Sequence, residues 1–303
     1  MEGELWNEVY RVVRHVARAF VVRQVRRGRP DRYSMDVIAL CLLWAAWRNQ
    51  PVMRAMNELG SRKIRRRLRR SGFRLPAVVP HETTVQRRSQ RADFQAFFQL
   101  LGRHLRRRLR PRRRQCMMDS TSLPVGRMSH DPDAALGVYR SYGYRWHVLT
   151  SEDGVILGSA VHPANVHDVR VAPTLVEQAR SRGAIRWLVA DAAYDSERLH
   201  HLIHQQLRAR FIAPLNDRGK RRRCYRTPFR AWLSARWESP PVRRLWRQRS
   251  SIERVFSRLK SSQFGLWALP PWVRHLANVR RWIELKIVLY HASLARQRMR
   301  STC

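Results

Sequence analysis

Beyond residue 112, short apolar runs of strand length alternate with amphipathic segments of helix length, and this alternation constrains the fold more than any other feature. QCMMDSTSLPVG, AIRWLVADAAYD and ARFIAPL predict strands, while HDVRVAPTLVEQARSRG and SERLHHLIHQQL predict helices. YRWHVLTSEDGVILGSAVHP predicts a hairpin with Asp153-Gly154 as its turn. Strands that alternate with helices form largely parallel sheets. We therefore expect an α/β region whose mixed sheet starts with an antiparallel hairpin.

The first third of the chain lacks this alternation and predicts helices only. Residues 37–47, VIALCLLWAAW, are apolar on nearly all sides, which predicts a buried helix with Ser34 as its cap. A later amphipathic helix has one apolar face, formed by Phe94, Phe97, Phe98, Leu101 and Leu105. Pro111 and the arginines after it mark a boundary. We predict an all-α region over 1–111 and a second domain over 112–303.

The balance of charge indicates the kind of partner. The chain has 61 Lys and Arg residues against 22 Asp and Glu residues, a formal net charge of +39. A compact chain with this charge repels itself, which favours a polyanionic partner, and nucleic acid is the commonest one. Short helices with a basic segment resemble a helix-turn-helix unit. We predict that residues 82–91 form a recognition helix that contacts DNA through Arg87, Arg88 and Arg91; a solvated basic helix is the alternative.

Several other classes of protein are disfavoured. The four cysteines are scattered without a CxxC pair, which opposes a zinc ribbon or a disulfide scaffold and fits a reducing cytosol. The histidine clusters lack the glutamate of an HExxH motif, which disfavours zinc. The first residues, MEGELWNEVY, are not typical of a signal peptide, and the longest apolar run is too short to span a bilayer. We expect a cytoplasmic protein with no membrane partner.

Three acids occur where acids are informative. Asp119 and Asp191 are predicted to end two strands, and ligands bind at the carboxyl ends of strands in open α/β sheets. Glu253 lies on a later predicted helix. Three carboxylates brought together repel unless cations neutralise them, and oxygen ligands suit Mg²⁺ or Mn²⁺. Two of the acids also have a structural alternative: Asp119 as a turn residue bonding Ser120 and Thr121, and Glu253 as a surface partner of Arg249.

Between the second acid and the third, the hydrophobic periodicity fails over about 217–246. This stretch is basic and contains Pro240-Pro241, which predicts an irregular insertion. Trp237 and Trp246 could stack on an unpaired base, although a tryptophan in such a segment is more often local core.

The segments around the three acids resemble the DDE-type transposases of bacterial insertion sequences. The YREK signature of one branch, Tyr-(2)-Arg-(3)-Glu-(6)-Lys, is met in spacing by Trp246, Arg249, Glu253 and Lys260, with Trp in place of Tyr. MMDSTSLPVG resembles the family's first-Asp segment, and VADAAYDSERL resembles its second-Asp segment, with Asp191 as the matching acid. The similarity covers roughly residues 112–295.

The resemblance implies an RNase H-like mixed sheet flanked by helices, preceded by the all-α basic DNA-binding region. Asp119, Asp191 and Glu253 would be catalytic and would bind two Mg²⁺ ions, with Mn²⁺ as a substitute. Arg249 and Lys260 would lie near donor-DNA phosphates, whereas Trp246 lacks the hydroxyl that Tyr offers to phosphate.

A protein of this family would act on double-stranded DNA in the bacterial cytoplasm, at the nucleoid. It would bind the terminal inverted repeats of its element as a homodimer, cleave there, and join the freed ends to target DNA. The alternatives are an RNase H-like nuclease and a transposase-derived DNA-binding protein without catalysis.

Overall fold

The computed structural model describes residues 2–20, 31–70, 72, 75–126, 130–138, 140–180, 184–216 and 228–300. The chain divides into two compact units, Met1–Arg110 with Arg281–Cys303, and Pro111–Arg280. The last residues of the predicted second domain, 112–303, thus group with the amino-terminal residues. The helices are α1 (Glu2–Ala19), α2 (Met35–Arg48), α3 (Val52–Gly60), α4 (Arg62–Arg70), α5 (Glu82–Ser89), α6 (Ala92–Leu109), α7 (Asp168–Arg180), α8 (Glu197–Leu207), α9 (Pro228–Arg236), α10 (Pro240–Arg247), α11 (Ser250–Lys260) and α12 (Leu276–Arg300).

The first unit is helical, as predicted. Helix α2 is buried on most of its surface, and Ser34 stands at its N-cap position without a side-chain hydrogen bond. The predicted apolar face of α6 is buried at all five positions. Lys286 of α12 is fully buried, and its ammonium donates to the carbonyl of Ala46 and to Asn49 Oδ1 (2.6 Å) at the carboxyl end of α2. A cation is favourable there because the last carbonyls of a helix carry partial negative charge.

The second unit contains a mixed sheet, which confirms the predicted α/β class. Its strands are β1 (Gln115–Pro124), β2 (Ala135–Leu136), β3 (Tyr142–Ser151), β4 (Ile156–Pro163), β5 (Trp187–Val189) and β6 (Arg210–Ile212). The order is β2-β3-β1-β5-β6, with β4 also paired to β3. Strands β1, β3 and β4 pair antiparallel, whereas β1, β5 and β6 pair parallel. The predicted hairpin is β3–β4, and Gly154 in its turn has a φ of 79°, which glycine adopts without strain.

Two local predictions were wrong. Asp119 does not end its strand, because β1 continues through antiparallel pairing with β3 as far as Pro124. The insertion is not irregular over 228–247, where α9 and α10 form; Pro240 and Pro241 occupy the first turn of α10, which proline tolerates. Residues 217–227 of the predicted insertion lie outside the described residues. So does Gly183, the last residue of the predicted helix HDVRVAPTLVEQARSRG.

No helix among the described residues is both long enough and apolar enough to cross a membrane.

Candidate functional site

The parallel pairing of β1 with β5 positions the first two acids. Met117 pairs with Val189, the last residue of β5. Asp119 and Asp191 each follow two residues later, and in β1 this spacing keeps Asp119 on the face of Met117. Beyond the end of β5, Asp191 accepts a hydrogen bond from the backbone N–H of Ala193 (3.0 Å) and so caps a 3₁₀ turn. The two carboxylates therefore lie at equivalent positions relative to the paired strands β1 and β5 at the centre of the sheet.

Burial gives Asp119 an abnormal affinity for protons. It raises the pKa of Asp119 to about 6, and the negative charges of Asp191 and Asp168 act in the same direction. The backbone N–H of Ser120, which donates to Asp119 Oδ1 (2.8 Å), and the charge of Arg249 oppose that rise. The pKa of Asp191 is raised by burial and by Asp168. Burial and mutual repulsion both disfavour the charged carboxylates, and a bound cation would offset both effects.

Arg249 links the first acid to the third. Its Nη1 donates to Asp119 Oδ2 (2.8 Å), and its Nη2 donates to Glu253 Oε1 (3.2 Å) one turn along α11. Near the other end of α11, Lys260 Nζ donates to Thr121 Oγ1 (2.6 Å). Asp119 and Thr121 lie on one face of β1 because they are two residues apart. Helix α11 therefore presents Arg249, Glu253 and Lys260 along the strand that carries Asp119.

Asp168, at the start of α7, is a fourth acid near this site. Its Oδ1 accepts from Ser120 Oγ (2.9 Å) and forms an ion pair with Arg145 Nε (3.0 Å). His147 Nδ1 lies 3.2 Å from the same oxygen. Burial opposes ionisation, but His147, Arg145 and Ser120 together lower the pKa of Asp168. The sequence signal for Asp168 is the segment Asn165-Val166-His167-Asp168, which resembles an Asn-x-His-Asp segment of the family but does not reveal these partners.

Tyr194 lies near the acids, at the end of the 3₁₀ turn after β5. The residue is fully buried. Burial and the charges of Asp168, Asp119 and Asp191 raise the pKa of Tyr194 well above its usual value. The phenol is therefore neutral next to the acids and adds no negative charge to them.

Asp195 lies close in sequence to Asp191 but has a different environment. Arg230 of α9 binds it with two hydrogen bonds, Nε to Oδ1 (3.0 Å) and Nη2 to Oδ2 (2.6 Å), while a third from Nη1 reaches Glu197 (2.7 Å). His200 and the backbone N–H of Asn216 also contact the carboxylate. Although burial raises it, these partners bring the pKa of Asp195 down to about 2. Asp195 therefore holds the insertion helix and is already neutralised.

A second group of possible metal ligands lies elsewhere in this unit. Among the described residues, Asp131, Asp133 and His275 place their ligand atoms within 4.8 Å of one another, whereas the three predicted acids do not form such a group. Asp131 accepts from Tyr144 Oη (2.8 Å) and from the backbone N–H of His275 (3.1 Å). Asp133 accepts from the backbone N–H of Leu276 (2.8 Å). These carboxylates therefore cap the start of α12.

The predicted site acids nonetheless fit divalent cations in chemistry. Asp119, Asp191 and Glu253 offer hard oxygen donors. Arg249 already supplies a positive charge between Asp119 and Glu253, and the pKa values of Asp119 and Asp191 are raised. The arrangement is an acidic centre that positive charge stabilises.

An open cleft of about 780 Å³ lies beside the start of α11. Four arginines line it, namely Arg243, Arg244, Arg247 and Arg254, against two acids, Glu152 and Glu238; Ser250, Ser251 and Met117 also line it. Met117 is two residues before Asp119 on the same face of β1, so the cleft adjoins the acidic centre. Its basic lining is suited to a phosphodiester backbone.

Trp246 lies at the edge of this region in a local aromatic cluster. Its ring centroid is 5.7 Å from that of Trp237, and the Arg243 guanidinium lies over both rings at 5.6 and 5.5 Å. The indole N–H is buried. These contacts agree with local core packing, the structural alternative to stacking on a base.

The three arginines of the predicted recognition helix differ in their surroundings. Arg87 is exposed on α5. Arg88 is buried, donates to the carbonyl of Tyr33 (2.9 Å) and pairs with Asp31 (3.2 Å). Arg91 precedes α6 and pairs with Asp31 (3.0 Å) and with Asp93. Only Arg87 of the three has a guanidinium without such internal partners among those described, whereas acids pair with Arg88 and Arg91. Contact of the three arginines with DNA stays a prediction.

An open mixed sheet with partly buried carboxylates at its centre and a cleft with four arginines beside them defines an α/β protein with an acidic site. The chain matches the family described as "Transposase DDE domain" over residues 110–290 and, since this is more than half of its length, belongs to that family. It is also similar to the "Cryo-EM structure of piggyBac transposase synaptic complex with hairpin DNA", with 10% identity, a TM-score of 0.42, and coverage of 98% of this chain and 81% of that chain. A comparison with curated proteins finds no match.

Proposed function

We propose that this protein is a DNA transposase that binds the terminal inverted repeats of an insertion sequence and catalyses metal-dependent cleavage and strand transfer. One observation carries the proposal. Within a transposase DDE domain, Asp119 is buried beside Asp191 and is linked through Arg249 to Glu253. These are the three acids, and one of the cations, that the sequence pattern singles out.

Asp119, Asp191 and Glu253 would hold two Mg²⁺ ions, for which Mn²⁺ would substitute. When bound, the ions stabilise the charge that develops on the attacking and leaving oxygens of a phosphodiester. Lys260 and Arg249 orient the phosphate from α11, while Asp168, Arg145 and Ser120 hold β1 in place. No Ser or Tyr nucleophile is required, because water and then a 3′-OH attack in turn.

The charge distribution supports DNA as the partner. The cleft beside the acidic centre is lined by Arg243, Arg244, Arg247 and Arg254, so a strand that follows it is led towards Asp119. The exposed Arg87 and the basic helix α4 would contact DNA from the first unit. Two chains would act together as a homodimer that holds the two element ends. Residues 1–111 would serve mainly DNA binding, and 112–303 mainly catalysis.

The proposal is tested with a labelled duplex taken from the DNA that flanks the gene, incubated with the protein and Mg²⁺. Asp119→Asn, Asp191→Asn and Glu253→Gln should abolish nicking but retain binding. Glu177→Gln is the matched control, because Glu177 is an exposed acid paired with Arg180. If the three variants nick as the wild type does, the site is wrong.

Joining of the labelled end to a plasmid separates a transposase from a nuclease. Nicking without joining supports the RNase H-like nuclease instead. A wild-type protein that binds the end but never nicks supports the DNA-binding protein without catalysis.

A further inference from the structure

The Arg249 side chain occupies an unusual position for a residue expected to bind DNA. Its two terminal nitrogens are divided between two acids, with Nη1 on Asp119 (2.8 Å) and Nη2 on Glu253 (3.2 Å). Among the described residues, neither acid has another ion pair. One guanidinium therefore pairs with two of the three acids of the proposed metal site and offsets one of their two negative charges.

The exposure of the three side chains makes this bridge reversible. Asp119 is 14% exposed, Arg249 is 23% exposed and Glu253 is 56% exposed. The guanidinium thus lies at the mouth of the site, on a long side chain that begins at the N-cap of α11. An ion pair with an exposed partner is weak, so a competing anion or cation can displace it.

A metal ion would compete with Arg249 for Asp119 and Glu253, whereas a phosphate would compete with these acids for Arg249. A divalent cation at Asp119 and Glu253 would repel the guanidinium, whereas a phosphate offers the same planar fork a new bidentate acceptor. A metal ion at the acids would therefore free Arg249 to bind phosphate, and a phosphate at Arg249 would free the acids to bind metal ions.

We propose that Arg249 is an exchangeable counter-ion, which bridges Asp119 and Glu253 in the free protein and transfers to a DNA phosphate when metal ions occupy the acids. This inference rests on the proposed function and adds coupling between its two ligands. Because coupling is reciprocal, metal ions strengthen DNA binding by the same factor by which DNA strengthens metal binding. Arg249 would thereby favour the loaded site only when DNA is present.

Lys260 provides a matched control on the same helix. It is also a cation that reaches β1, but its Nζ donates to the neutral hydroxyl of Thr121 and bridges no acids. Removal of Lys260 should weaken DNA binding without a gain in metal affinity.

The test measures Mn²⁺ binding by calorimetry on the full chain, first without DNA. Arg249→Ala should bind Mn²⁺ about five-fold more tightly than the wild type, and Lys260→Ala should bind it as the wild type does. The titration is then repeated with an element-end duplex whose terminal 3′-OH is removed, so that it cannot be joined. DNA should tighten Mn²⁺ binding to the wild type by about five-fold or more and to Arg249→Ala much less.

The outcomes distinguish this inference from the proposed function. If Arg249→Ala binds Mn²⁺ no more tightly than the wild type, the exchange is overturned while the metal site remains. If the wild type does not bind Mn²⁺ and Asp119→Asn makes no difference, both are overturned. Arg249→Met keeps the aliphatic stem and replaces Arg249→Ala if thermal unfolding shows that the alanine variant does not fold.

Discussion

The hydroxyl of Ser120 donates a hydrogen bond of 2.9 Å to Asp168 Oδ1. Ser120 directly follows Asp119, so this bond ties the strand that carries the first acid to the start of α7. Arg145 donates to the Ser120 hydroxyl (2.8 Å) and pairs with Asp168, which closes the connection. The position of Asp119 therefore depends on an acid that is not itself one of the three.

Asp168→Asn should destabilise the protein by about 2 kcal/mol, because the half-buried Arg145 would lose its carboxylate partner. Urea unfolding measures the change. Ser120→Ala, the milder variant, should cost about 1 kcal/mol, since it removes hydrogen bonds but no charge. Equal stability of Asp168→Asn and the wild type would contradict the assigned role.

Asp119 should make the stability of the metal-free protein depend on pH. Its folded pKa of about 6 lies above the unfolded value of about 4, so the folded state binds the extra proton. The stabilisation is full below about pH 4 and is lost as the pH rises through about 6. Asp119→Asn should match the wild type at pH 4 and exceed it by up to about 3 kcal/mol at pH 7.5.

The measurement is denaturant unfolding in EDTA at both pH values, and the difference between the two proteins cancels the other titrating groups. Saturating Mg²⁺ at pH 7.5 should then raise the melting temperature of the wild type and leave Asp119→Asn unchanged. An equal rise in both proteins would place the ion elsewhere.

Asp195→Asn should show the opposite dependence. The folded pKa of about 2 lies below the unfolded value, so the stabilisation is present above about pH 4 and is lost as the pH falls towards 2. The variant should lose roughly 2 to 3 kcal/mol at pH 7 and little at pH 2.5. Asp191→Asn should instead keep its stability and lose nicking, which separates the two neighbouring acids.

Arg87→Ala and Arg88→Ala should affect different properties. Arg87 is exposed, so its removal should weaken DNA binding and lower the salt dependence by about one phosphate contact. Arg88 is buried against Tyr33 and Asp31, so its removal should lower the melting temperature. Fluorescence anisotropy at several salt concentrations and a thermal melt distinguish the two effects. A stable Arg88→Ala with weakened binding would instead support a direct contact of Arg88 with DNA.

Periodic segments could be predicted from the sequence, and residues paired over long distances could not. The apolar face of α6 and the β3–β4 hairpin follow from local spacing. Helices α9 and α10 escaped prediction because Trp and Arg residues interrupt the apolar pattern and Pro240-Pro241 resembles a break. Asp168 was missed as a site residue because its partner Ser120 lies 48 residues away.

The predicted recognition helix shows that the burial of a single arginine also could not be predicted from the local sequence. An arginine is typical of solvent or phosphate contact when only its neighbours are known. Arg88 is buried in the fold, and its ion-pair partner Asp31 lies 57 positions earlier in the sequence.

Asp119 and Asp191 each lie two residues after the paired residues Met117 and Val189. The site therefore depends on the pairing register of the strands as well as on which residues are present. Side chains alternate between the faces of a strand, so one residue inserted between Met117 and Asp119 would turn the carboxylate to the opposite face. Such a protein would retain every acid and every arginine and would still lack the centre. A frame-preserving insertion of one codon could therefore silence this gene as completely as loss of the acid itself.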